Sequence, residues 1–223
     1  QIIDKERIIN EVLQGHGIVI ENPIPPNIII YQKLNKDDKK TREERSKKAQ
    51  DILSKDGWKI GSSGFLEKTT VVKKKKTNQI LEFSISTGNT PDLVKSAELV
   101  EKDLRAIGMK VDVKTFDIGN LNQGVIRPRK YDVLLFGQII NHESDLLAFW
   151  HSTQRNDPGL NVAMYTNAKV DKILESAFGE MYEKVLKHKA QRAGKGKARG
   201  RRYKVSAGLL FVVADDEMMR RTG

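Results

Sequence analysis

Residues 81–115, LEFSISTGNTPDLVKSAELVEKDLRAIGMKVDVKT, carry a strand, a helix and a second strand in unbroken succession. LEFSIS alternates apolar and polar residues with the two-residue period of a strand. Thr90 then stands where an N-cap belongs, Pro91 suits the first helical position, and Gly108 supplies the stop. Between them Val94, Ala97, Val100, Leu104 and Ile107 recur every three or four residues, which places one apolar stripe along a helix. MKVDVKT is the second strand. A strand–helix–strand succession of this length is a crossover, so the two strands are expected to lie parallel and right-handed.

The pattern extends in both directions. Downstream, Ile118, Leu121 and Val125 mark a short helix, and YDVLLFG (131–137) has the continuous apolar core of a central strand covered on both faces. Upstream, IIDKERIINEVL (2–13) predicts a helix with Ile2, Ile9, Val12 and Leu13 near one face, ended by Gly15 and Gly17. NPIPPN (22–27) cannot continue a helix, because its prolines fix φ and remove donors. DDKKTREERSKKAQDILSKDGW (37–58) predicts an exposed helix that Gly57 ends, with apolar contacts reduced to Ala49, Ile52 and Leu53. The four lysines at 73–76 read as a solvated loop or an edge strand. The fold class is α/β with a mainly parallel sheet.

The 223 residues are 38% hydrophobic, enough to bury a core, and the net charge of +11 is unevenly placed. Residues 1–178 hold 28 basic and 24 acidic side chains, a net +4, whereas residues 179–223 hold 12 and 5, a net +7. Between Lys184 and Lys204 stand ten basic residues and no acid, so only this tail invites a phosphate partner. The absence of cysteine excludes disulfides and thiolate metal sites. VSAGLLFVVA (205–214) is half of the roughly 20 residues that a membrane-spanning helix needs. The chain opens on Gln1 without a basic-then-apolar leader, which reads as an excision from a longer product.

In open parallel sheets, ligands bind beyond the carboxyl ends of the strands, where loops converge. Those ends fall at Thr87–Thr90, at Phe116–Asn120 and, above all, in GQIINHESDLLAFWH (137–151). This last loop concentrates Gln138, Asn141, His142, Glu143, Asp145, Phe149, Trp150 and His151, a mixture of amides, acids and aromatics that suits a polar organic ligand. Phe149 and Trp150 also suit a core. Enzymatic readings find less support. His142, Glu143, Asp145 and His151 match no established metal-ligand spacing, and Asp145 is most simply an N-cap for LLAFWH. No Ser or Thr stands on a recognisable strained strand-to-helix turn, and GKGKARG lacks the Gly-Lys-Ser/Thr ending of a nucleotide phosphate loop. Neither a catalytic constellation nor a cofactor or metal site is expected.

DGW (56–58), LVKSAELVEKDLRAIGMKVDVKT, YDVLLFGQI, AFWHSTQRNDPGLNVAMYTN and KVDKILESA resemble, in order, the later lobe of the peptide-binding extracytoplasmic proteins that serve ABC transporters, solute-binding protein family 5. The opening DKERIINEVLQGHG and NPIPP resemble the segment just before it. The resemblance covers residues 1–177 and implies a partial periplasmic-binding-protein-like lobe, non-catalytic capture of a peptide ligand, and delivery to an ABC-transporter permease outside the cytoplasm. It places binding segments at Gln138–His142 and near Asn161–Tyr165, with Gln138, Asn141, His142, Asp145 and Trp150 as candidate ligand-binding residues. Where the family has an Asp-Pro-Asp-Pro stretch this chain reads HESDL, keeping Asp145 without the proline. One lobe of a two-lobed binding protein supplies part of the contact surface, so peptide binding by this chain alone is expected to be weak or absent.

The tail resembles a different family. RAGKGKARGRRYKVSAGLLFVVADD (192–216) is similar to the archaeal and eukaryotic type of the fourth large-subunit ribosomal protein, in which a glycine-rich basic stretch contacts ribosomal RNA and a strand follows. The resemblance implies RNA contacts by Arg192, Lys195, Lys197, Arg199, Arg201, Arg202 and Tyr203. The chain therefore reads as a chimera of two partial domains, residues 1–178 and a basic, partly disordered segment 179–223 with one strand.

Overall fold

The computed structural model describes residues 2–20, 41–72, 75–140 and 145–179, together with the backbone of 207–213. In chain order the elements are α1 (Lys5–Glu11), α2 (Arg42–Lys55), β1 (Lys59–Ile60), β2 (Leu66–Val72), β3 (Lys75–Ile80), β4 (Glu82–Gly88), α3 (Pro91–Arg105), β5 (Lys110–Phe116) and α4 (Ile118–Asn120). A π-helical turn (Leu121–Ile126), β6 (Val133–Ile139), α5 (Asp145–Trp150), a 3-10 turn (Ser152–Gln154), a helix over residues 168–179 and β7 (Ala207–Val213) follow.

The main sheet has the order β5-β4-β6-β7. β4 pairs parallel with β5 from Glu82↔Lys110 to Gly88↔Phe116, and parallel with β6 from Ile85↔Val133 to Thr87↔Leu135. The parallel three-stranded core expected over 81–137 is therefore present. β6 is an inner strand because β7, drawn from the C-terminal segment, adds antiparallel to its outer edge. The strand expected in the tail thus lies in the same sheet as the lobe. A second sheet, β1-β2-β3, is antiparallel, with β3 at its edge beginning on Lys75 and Lys76; Lys73 and Lys74 lie outside the described residues.

One face of the main sheet buries Ile85, Val111, Val133 and Leu135 against Ala97, Leu99 and Val100 of α3 and Ile8 of α1. The opposite face packs Leu134 on Leu121, Val125, Ile126, Tyr131 and Val162. The α3 stripe is broader than its apolar spacing indicates, because Ser96 and Asp103 are buried with it. Asp103 tolerates burial because it accepts from the Asp4 N–H (3.0 Å), Arg7 Nη2 (2.9 Å) and Arg42 Nη2 (2.8 Å), so one carboxylate ties α1 and α2 to α3.

Two local expectations are corrected, and the expected N-cap of α3, Thr90, is present without its side-chain bond. In α1, Ile8 rather than Ile9 enters the core, since Asp4 caps the helix at Arg7 and the Arg7–Asp103 pair turns that face inward. The segment after β5 buries Leu121, Val125 and Ile126 while Ile118 is 71% exposed, because the wider π turn brings positions four and five residues apart onto one face. Gly57 ends α2 as read, with φ +91. Behind it Trp58 is buried with Leu66 and Leu81, its Nε1–H donating to Asp56 (3.0 Å) while Lys68 pairs with the same carboxylate (2.9 Å).

Candidate functional site

All three parallel strands end on the same side, and the residues singled out there fall into two groups. At the end of β5, Asp117 caps α4, accepting from the Gly119 and Asn120 N–H groups (3.0 Å each). The Asn120 N–H, then its side-chain amide, hold the Asp117 carboxyl below the usual carboxylate range. At the end of β6, Gln138 is half-buried and lines a cavity of about 370 Å³ with Phe149, Arg127, Asp157 and Leu160. Arg127 Nε and Asp157 form an exposed ion pair across this cavity (3.2 Å).

β6 outruns its neighbour here. The Thr87 hydroxyl donates to the Leu135 carbonyl (2.9 Å), so Leu135 directs its peptide groups toward β4; alternation then directs those of Gly137 and Ile139 the same way. Pairing with β4 ends at Leu135, and beyond Gly88 the Asn89 N–H turns to the Phe116 carbonyl of β5 (2.8 Å). Among the described residues, the peptide groups of Gly137 and Ile139 therefore face the carboxyl-end crevice without a strand beside them. Gly137 is exposed and a Cβ added there would meet nothing within 4 Å.

Of the other candidate ligand residues, Asn141 and His142 lie outside the described residues, as does Glu143. Asp145 opens α5, and Trp150 closes it, partly buried against Leu146, Leu147, Leu174 and Phe178. Its ring stands edge-on to Tyr165 at 6.1 Å, and its buried Nε1–H has no partner among the described residues. Trp150 thus packs into the apolar cluster behind α5 and is not among the residues that line the cavity with Gln138. The basic residues Arg192, Lys195, Lys197, Arg199, Arg201, Arg202 and, with them, Tyr203 all lie outside the described residues.

The loop after α5 is held by groups that have no freedom to bind. His151 caps the 3-10 turn, its Nδ1 accepting from the Thr153 N–H (3.2 Å) and its Nε2 facing Glu175 (3.1 Å). The Asp171 carboxyl accepts from the Ser152 hydroxyl (2.6 Å) and N–H (3.0 Å), which hold it below the usual carboxylate range. Asn161, fully buried, donates to the His151 and Tyr165 carbonyls and accepts from the Tyr165 N–H (3.1 Å). In the 161–165 segment, therefore, Tyr165 offers contact surface and Asn161 serves as framework.

Sequence reading missed Arg129 and Tyr131. Arg129 adopts φ +56 and donates to the carbonyls of Ile126, Arg155 and Gly159, fixing the wall of the cavity. The Tyr131 hydroxyl donates to the Val162 carbonyl (2.6 Å), and burial pushes it up to about 12. The RPRK turn at 127–130 was the available signal, but its partners lie about 30 residues away.

In a parallel α/β lobe the crevice at the carboxyl ends of the strands is where ligands bind. The chain is a member of the bacterial extracellular solute-binding proteins, family 5, whose middle-region model matches residues 1–158. Among solved structures it is similar to the oligopeptide-binding protein AppA from Bacillus subtilis in complex with a nonapeptide, at 28% identity and TM-score 0.64 over 82% of this chain and 36% of that one. It is also similar to NikZ from Campylobacter jejuni in complex with Ni(L-His), at 26% identity and TM-score 0.59, with the same coverage. The oligopeptide-binding protein of Thermus thermophilus shares the fold at 18% identity and TM-score 0.62, over 79% of this chain and 31% of that one. The chain spans about a third of the length of these relatives. No match was found among curated protein sequences.

Proposed function

We propose that residues 1–178 form a non-catalytic solute-capturing lobe that takes an extended peptide at the carboxyl end of β6, as part of an extracytoplasmic protein serving an ABC-transporter permease. The observation that carries this reading is the overrun of β6, where the Gly137 and Ile139 peptide groups offer main-chain donors and acceptors to a strand-like ligand. Gln138, Asn141, His142, Asp145 and Trp150 surround that ladder in sequence and supply side-chain selectivity. The nonapeptide carried by AppA supports the ligand class.

One lobe gives a fraction of the contacts of an enclosed site, so calorimetry with a mixed peptide pool should find binding weaker than micromolar. Amide chemical shifts should move at 137–145 and near Tyr165. Gly137→Pro should abolish those shifts, since it removes one inward donor at a position where an added Cβ meets nothing within 4 Å. Shifts confined to other parts of the lobe, or shifts with Ni(L-His) and none with peptides, would overturn the reading, whereas micromolar affinity would refute only the expectation that one lobe supplies a fraction of the contacts.

For the basic run within residues 179–223 we propose an RNA-binding role. The supporting observation is the run of ten basic residues without an acid between Lys184 and Lys204. If about six of them neutralise phosphates, the logarithm of RNA affinity should fall against log salt with a slope of about −4 on single strands. Replacing Arg199, Arg201 and Arg202 with alanine should reduce that slope by roughly 2. A wild-type slope near zero removes RNA as a partner.

A further inference from the structure

The cavity beside Gln138 has a defined place relative to the main-chain ladder of β6. Leu134 and Phe136 turn to the face that packs on Leu121, Ile126 and Val162, and alternation puts the Gln138 side chain on that face too. In an antiparallel pairing, a ligand residue opposite Gln138 sends its side chain to the same face, with its Cβ about 4.5–5.5 Å from that of Gln138. That side chain meets the cavity of about 370 Å³ that Phe136, Gln138 and Leu160 help to line.

The charges at this cavity are unbalanced. Its lining carries two guanidinium groups, Arg127 and Arg129, against one carboxylate, Asp157. Arg129 donates to the carbonyls of Ile126, Arg155 and Gly159 and has no ion-pair partner among the described residues. Its charge is therefore fixed in the wall without a counter-charge. Arg127 is 61% exposed and donates to Asp157 through Nε (3.2 Å), and among the described residues neither of its Nη groups has an acceptor. Two guanidinium nitrogens are thus open to a carboxylate, in the forked geometry that arginine suits. A cationic ligand group would have only Asp157 to pair with, and Arg127 already holds that carboxylate.

Resting on the proposal that an extended peptide pairs with β6, we infer that this cavity selects a carboxylate on the ligand residue opposite Gln138. Arg127 is the specificity-determining residue, and Arg129 supplies a fixed positive background. An acidic side chain and the peptide's own C-terminus carry the same chemistry, and the test separates them.

Amide-shift titrations of the full chain use Ala-Ala-Glu-Ala-Ala and Ala-Ala-Gln-Ala-Ala, each with a free and with an amidated C-terminus. At low salt the shifts at 137–140 should saturate at a concentration roughly two- to ten-fold lower for glutamate than for glutamine, whichever terminus the peptide carries. A preference for the free over the amidated terminus, with glutamate and glutamine alike, assigns the carboxylate to the C-terminus instead. Arg127→Gln should bring the preference to about one, and Asp157→Asn should increase it, because the competing acid is gone. Crevice shifts from all four peptides with no preference for either carboxylate overturn the inference and leave peptide capture standing. A preference that survives Arg127→Gln overturns it as well. Should Arg127→Gln fail to fold, Asp157→Asn decides: a preference that falls or stays constant overturns it. Crevice shifts with none of the four peptides overturn peptide capture and this inference together.

Discussion

Replacing Asp103 by alanine tests the joint on which the N-terminal half of the lobe depends. Its side chain is 2% exposed and receives three donors at 2.8–3.0 Å, from the Asp4 N–H, Arg7 and Arg42. α2 buries no residue of its own, so the Arg42 contact is a principal attachment of that helix to α3. Arg7 is 16% exposed and its Nε–H already lacks a partner among the described residues. Removing the carboxylate leaves this guanidinium buried without a counter-charge, and breaking a buried pair in this way costs about 3–5 kcal/mol. Arg42 is 41% exposed and can turn to water, so Arg42→Ala should cost only about 1 kcal/mol or less. In a domain of this size Asp103→Ala should lower the thermal midpoint by about 6–20 °C, measured by circular dichroism and checked by urea titration at constant m-value. A double-mutant cycle with Arg7→Ala should then recover part of the loss, because the unpaired cation goes with it. A loss below about 1 kcal/mol for Asp103→Ala, or strict additivity with Arg7→Ala, would refute the account of a buried charge needing its partner.

The buried Tyr131 hydroxyl titrates near 12 while the same group in the unfolded chain titrates near 10, so the fold favours the protonated form. Its contribution is constant below pH 10 and is lost as pH rises from about 10 to 12, at roughly 1.4 kcal/mol per unit; urea titrations of wild type and Tyr131→Phe should diverge over that window and run parallel below it. Asp171 has its carboxyl depressed by the Ser152 hydroxyl and N–H, so its contribution is present above the ordinary carboxylate range and lost as pH falls through the lowered value; Asp171→Asn should flatten the acid limb of the melting profile and leave the alkaline limb unchanged. Gly159 packs so closely that a Cβ would drive into the Gln154 backbone carbonyl, and Gly159→Ala should cost about 1–3 kcal/mol, read from denaturant midpoints, whereas the same change at the open Gly137 should cost well under 1 kcal/mol.

The sequence by itself determined what depends on short-range periodicity and backbone chemistry. Residues 81–115 dictated a crossover because alternation, an apolar stripe, Pro91 and Gly108 act within a few residues of one another, and the positions of the strand ends located the crevice. Gly57 could be read as a stop because left-handed backbone is a local demand. Tertiary structure decided whatever depended on partners distant in the chain. Asp103 looks like a surface acid in its helix and is buried only because Arg7 and Arg42, 96 and 61 residues away, arrive to pair with it. The family resemblance puts a binding segment near Asn161–Tyr165, but the carbonyls of His151 and Tyr165 and the Tyr165 N–H consume the hydrogen bonds of the Asn161 side chain. The overrun of β6 is a difference in length between strands 48 residues apart, and its outer partner is drawn from the tail; register and strand order emerge only when the sheet assembles, because each is a relation between segments.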